Sequence, residues 1–161
     1  MNLAETLLPK LAEWRPAGAG PHTVDFDLPD HGWMVHVTAD RAESLGCLLT
    51  EIGIVRSATV PDDAAALKAY AGRAAARVTG LREPLRIVEV DETRIIALLR
   101  SNAPAVKGDD VSYYEVTLHG RNRITVQRFA ASRVGTAQRQ AIAFALTHEI
   151  IAKLVEDLTS D

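Results

Sequence analysis

Between Ala137 and Leu158 the sequence contains neither glycine nor proline, and alanine or straight-chain residues fill many of its positions. No other stretch constrains the fold as much. Wound at 100° per residue, Ile142, Phe144, Leu146, Ile150, Ile151, Leu154, Val155 and Leu158 cover an arc of about 220°. One sheet face needs about half of that arc. The stretch therefore predicts a long C-terminal helix that touches more than one surface and carries a sheet on its back. Thr136, next to Gly135, is the expected N-cap, because its hydroxyl can accept from an otherwise unpaired backbone N–H.

The rest of the chain alternates between two periods. Residues 2–14 read as a helix, with Leu3, Leu7, Leu8, Leu11 and Trp14 at helical spacing and Asn2 and Glu5 placed as a capping box. Pro9 predicts either a kink there or a shorter helix beginning near it. From His22 the period is two: Val24, Phe26 and Leu28 form one strand, Trp33, Val35 and Val37 a second, and Leu45 to Arg56 a third. Asp62 to Val78 reads as a second helix, with acids in its first turn and Gly80 just past its end. Four more strands follow, Leu85–Val90, Arg94–Ser101, Val111–Leu118 and Asn122–Ala130, with hairpin turns at Asp91-Glu92-Thr93 and His119-Gly120-Arg121. Arg94–Ser101 is apolar on both parities and predicts a strand covered on both faces. The expected class is α+β, in the order α-βββ-α-ββββ-α, with an antiparallel sheet packed on the C-terminal helix. At 161 residues one domain (1–161) is expected, able to bury roughly 70% of its unfolded surface.

The second helix carries two apolar stripes where a surface helix needs one. Leu67, Tyr70, Ala71, Ala74 and Val78 form the larger; Ala65, Ala69, Gly72 and Ala76 lie opposite and are all small. Such a stripe lets a second backbone approach closely, and a homodimer joined there is the expectation. A helix-friendly solvent face is the plainer alternative.

Composition sets the remaining bounds. Hydrophobic residues make up 47% and charged residues 24%, which argues against disorder. Cys47 is the only cysteine, so an intrachain disulfide is excluded and a buried, inert thiol is expected. Residues 1–14 hold Glu5 and Glu13 and no basic n-region, and no apolar run reaches the roughly 18 residues of a membrane helix. A cytoplasmic, membrane-free location is the expectation.

Reactive motifs are sparse. His148-Glu149 begins like a zinc-protease helix, but Ala152 stands where the second histidine would be. No nucleophile elbow and no phosphate-binding loop is present. Asp25, Asp27, Asp30, His31 and His36 are a group of metal-ligand types without a ligand-spacing motif, so no metal and no cofactor is expected. Arg121, Arg123, Arg128, Arg133 and Arg139 have no acid among them, yet only Phe129 interleaves, which argues against nucleic acid as a partner.

The order of elements resembles that of type III secretion chaperones and of the YbjN-type bacterial proteins that share their fold. The resemblance implies a non-enzymatic homodimer, often joined through the middle helix, that binds an extended peptide or protein partner. The competing class is a small-ligand-binding or enzymatic domain with a pocket between the sheet and the C-terminal helix. For that class His36, Tyr113, Tyr114 and His119 are the candidate pocket residues.

Overall fold

The C-terminal stretch does not form one long helix. In the computed structural model, which describes residues 1–101, 104–134 and 138–160, Gln140–Ile142 and Phe144–Thr147 are strands and only His148–Thr159 is helix. The expected N-cap, Thr136, lies outside the described residues. The actual cap is Thr147, whose hydroxyl accepts from the Ile150 N–H at 3.2 Å. The cause is tertiary. Among the described residues thirteen α-helices and β-strands build the fold, with a single 3-10 turn at Pro29–His31 between the first two strands: α1 (Leu3–Glu13), β1 (His22–Leu28), β2 (Trp33–Ala42), β3 (Gly46–Arg56), α2 (Ala64–Arg77), β4 (Leu85–Asp91), β5 (Ile96–Ser101), β6 (Ala105–Lys107), β7 (Asp110–His119), β8 (Arg123–Ser132), β9 (Gln140–Ile142), β10 (Phe144–Thr147) and α3 (His148–Thr159). Strands β3 and β8 pair only from Ile52–Val126 to Val55–Arg123 and then diverge. The fork between them is filled by the chain itself, with β9 on β8 and β10 on β3. Buried backbone N–H and C=O groups must find partners, and that demand outweighs the helical preference of a few alanines.

The result is one antiparallel sheet of ten strands, in the order β1-β2-β3-β8-β7-β5-β4, with β6, β9 and β10 added at β7, β8 and β3. The α+β class and the three helices agree with the sequence reading; the three short strands are additional. The Asn2 capping box is present, with the Glu5 N–H on Asn2 Oδ1 at 2.8 Å and the Asn2 N–H on Glu5 Oε2 at 3.0 Å. Helix α1 runs unbroken through Pro9. Asp63 caps α2 by accepting from the Ala66 N–H at 2.7 Å.

All three helices lie on one face of the sheet. Helix α1 packs on β1 and α3, α3 on β3, β10 and α2, and α2 on β4 and β5. A single apolar core joins Leu7 and Leu11 of α1, Leu67 and Tyr70 of α2, and Ile151, Leu154 and Leu158 of α3 to inward residues of β1–β8. Among the described residues no helix lies over the opposite face. Strand β5 shows the consequence: Ala97, Leu99 and Ser101 are buried while Ile96, Leu98 and Arg100 are half-buried. The expectation that this strand is covered on both faces is corrected accordingly. Its outward apolar residues are shielded by neighbours on the sheet rather than by a second layer.

Candidate functional site: the outer face of α2 and the open face of the sheet

Helix α2 is held on three sides. Leu67, Tyr70, Ala71 and Ala74 enter the core. On the flank toward α3, the Tyr70 hydroxyl donates to the Leu158 carbonyl and Arg77 Nη1 donates to the Ser160 carbonyl at 2.7 Å, a cation and a hydroxyl placed on the unpaired carbonyls of a helix end. On the opposite flank Lys68 forms an ion pair with Glu92 of the β4–β5 turn. The fourth side carries Ala65, Ala69, Gly72 and Ala76, all four exposed. A Cβ built on Gly72 meets nothing within 4 Å. The small stripe therefore points away from the sheet, and none of the described residues covers it.

The four alternative pocket residues do not converge. Tyr114 lies on the helix side, 8% exposed, with its ring edge-on to Phe144 and beneath the Arg128 guanidinium. Tyr113 and His119 lie on the open side, six residues apart on β7 and so about 20 Å from one another. His36 is on β2, separated from β7 by β3 and β8. It is paired with Asp25 across the β1–β2 ladder. Between sheet and α3, where that reading puts a pocket, Ile151, Leu154, Val155 and Leu158 are packed in the core.

The possible metal ligands are likewise dispersed. Asp25 belongs to His36, and His31 Nε2 is 3.0 Å from the Thr6 hydroxyl. Cys47 is 4% exposed, and burial pushes its thiol up to about 11, the inert state expected of it. His148 opens α3 with only 4% exposure; burial, and then the charge of Arg15, hold its imidazole below the usual range.

The arginine-rich stretch is not a continuous basic stripe, because four of its five members are engaged within the chain. Arg121 reaches Asp62 (Nε–Oδ1 3.3 Å) and the Pro61 carbonyl, tying the β7–β8 turn to the entry of α2. That turn needs Gly120, whose φ is +61° and whose position would drive a Cβ into the Asp62 carboxylate. Arg133 donates to the Gly108 carbonyl at 2.6 Å. Arg128 grips Glu83 with both terminal nitrogens, at 3.3 and 3.1 Å, and donates to Ser112 Oγ at 2.9 Å. Arg139 crosses the open face to Glu115, lies 3.8 Å over the Phe129 ring and takes the Tyr113 hydroxyl as acceptor at 3.3 Å. Arg100 closes Glu115 from the other side, Nε to Oε2 at 2.8 Å. Glu115 is thereby 5% exposed on a face with no helix over it. Sequence reasoning missed both clusters: Glu115 meets Arg100 only through the β5–β7 register, and Glu83, in the turn before β4, lies 45 residues from Arg128 along the chain.

Comparison with protein-family models, with curated proteins and with solved structures finds no match.

Proposed function

We propose that this chain works by binding rather than by catalysis, as a homodimer joined through α2 that takes an extended peptide or protein partner. The observation that carries the reading is the outer stripe of α2. A helix that already buries one apolar face presents a second, made only of Ala65, Ala69, Gly72 and Ala76, to the outside of the molecule. Related by a two-fold axis, each stripe meets its own copy, and the absence of large side chains lets the two backbones close together. The likeness in element order to type III secretion chaperones and YbjN-type proteins belongs to the same proposal. So do Met34 and Val55, register neighbours on the open sheet face, 37% and 41% exposed and suited to an apolar side chain of a partner.

Size decides how tight the dimer should be. A helix of 14 residues is about 21 Å long, and one stripe along it covers only part of the roughly 800 Å² per partner of a standard interface. A micromolar rather than nanomolar dimer is expected. Ala69→Glu is the test, because the site is exposed in the single chain and the substitution should leave folding intact. Overpacking alone costs about 1–3 kcal/mol per site, and each partner adds an unpaired carboxylate. Sedimentation velocity should show dimer for the native chain and folded monomer for Ala69→Glu. A native chain that stays monomeric at micromolar concentration, or a variant dimer of unchanged affinity, overturns the interface.

A further inference from the structure

At the closed end of the β2–β3 hairpin the open face of the sheet holds a hollow of about 410 Å³, within the range of small-molecule sites. Two cross-strand rows form it. Arg41 is opposite Leu48, which is opposite Ala145. In the next row Glu43 donates its N–H to the Gly46 carbonyl at 2.8 Å, and Gly46 is opposite Thr147. Gly46 contributes no side chain and has to contribute none, since a Cβ there would collide with the Leu146 carbonyl oxygen. Leu45, 79% exposed, stands at the rim.

The charges are the informative part. Arg41 and Glu43 both line the hollow and both are exposed. Among the described residues neither enters an ion pair, with the other or with any third group. Glu43 lies just past the end of β2 but stays paired with Gly46 across the hairpin, and side chains two apart along such an extended segment share a face about 7 Å apart. A cation and an anion at that spacing, over an apolar floor of Leu48 and Ala145, complement a molecule with carboxylate and ammonium on one carbon and an apolar side chain beside them. We propose that this hollow binds a free α-amino acid with an aliphatic side chain, its carboxylate on Arg41, its ammonium on Glu43 and its side chain against Leu48, Ala145 and Leu45. The site is separate from the outer face of α2 and does not depend on dimer formation.

The test is a titration of the full-length, 15N-labelled chain with L-leucine, followed by the amide resonances of Gly46, Leu48, Ala145 and Thr147. Saturable shifts confined to residues 41–48 and 145–147, with a Kd at or below about 1 mM, are expected. N-acetyl-L-leucine lacks the ammonium and L-leucinamide the carboxylate, and each should bind at least about tenfold more weakly. Arg41→Gln should abolish the preference for leucine over leucinamide, and Glu43→Gln the preference over N-acetyl-leucine. Both residues are exposed, so both variants should fold. Three results overturn the proposal: no saturable shift, shifts centred elsewhere, or equal affinity for leucine and the doubly blocked N-acetyl-leucinamide. Leucyl-leucine, which moves the two charges apart, binding as tightly as leucine would point to a peptide end and overturn it as well.

Discussion

Strands β7 and β8 have a different solution for a buried charge on each of their faces. On the helix side Arg128 is enclosed with one carboxylate, Glu83; their side chains are 11% and 18% exposed. On the open side the buried charge is the carboxylate of Glu115, 6% exposed at the side chain, and it has two guanidinium partners, Arg100 and Arg139, at 35% and 38%. The helix side supplies low dielectric and an apolar surround, so a charge there needs a bidentate counter-ion, supplemented by Ser112 and the Tyr114 ring. The open side has no layer to bury anything; Glu115 is buried because Arg139, Tyr113, Phe129 and Arg100 close over it. One face buries by stacking a layer, the other by strapping side chains across it. The first arrangement is singly supported, the second doubly.

Removing Glu83 separates these cases most sharply. Glu83→Gln leaves Arg128 enclosed without a counter-charge, and breaking a buried pair in this way costs about 3–5 kcal/mol. Urea midpoints measure it directly. A loss below about 1 kcal/mol, the scale of an exposed pair, would mean that Arg128 is effectively solvated and that the two faces do not differ. The open side should behave otherwise. Arg100→Gln or Arg139→Gln alone leaves the second guanidinium on Glu115, and each is expected to cost about 1 kcal/mol, the scale of one hydrogen bond. Together they strand a buried carboxylate, so the double variant should lose about 3 kcal/mol or more, well beyond the sum of the singles. Strict additivity would show that one arginine carries the whole interaction.

The contrast also marks what the sequence could disclose. Period-two and period-3.6 patterns run along the chain, so Trp33, Val35 and Val37, or Leu67, Ala71 and Ala74, declare their element and inward face by spacing alone. The fork between β3 and β8 is not a local property. Residues 140–147 mix good helix formers with Ile142, Phe144 and Thr147, which suit a strand as well, and the open edges they fill decide for strand; Phe144 and Leu146 alternate in burial with Ala145 and Thr147 accordingly. The site residues divide in the same way. The exposed stripe of α2 follows from helical geometry and was legible. Glu83 with Arg128, and Arg41 with Glu43 around a bare Gly46, depend on register and turn geometry across strands, for which one sequence holds no direct signal.

Two histidines extend the comparison of faces to proton binding. His148, at the start of α3, is 4% exposed, and among the described residues its Nε2 has no partner; His119 is half-buried on the open face of β7. In both, burial is the larger cause holding the imidazole below its ordinary value, and a guanidinium is the smaller, Arg15 for His148 and Arg123 for His119. The sign follows from which state binds more protons. Above the unfolded value of about 6.5 both states are neutral at these sites and the native state keeps its full advantage. As pH falls below that value the unfolded chain takes up protons that the native chain refuses, and stability declines until the native imidazoles are themselves protonated. The imidazole C2–H resonances of both histidines should therefore still report the neutral ring when the pH is lowered through 6.5. Between pH 7 and pH 5 the native chain should lose stability, and His148→Leu should lose less over the same range, because one site that discriminates between the states is gone. A His148 resonance titrating at or above the ordinary histidine value would show a solvated imidazole at the head of α3 and would remove the helix layer as the cause.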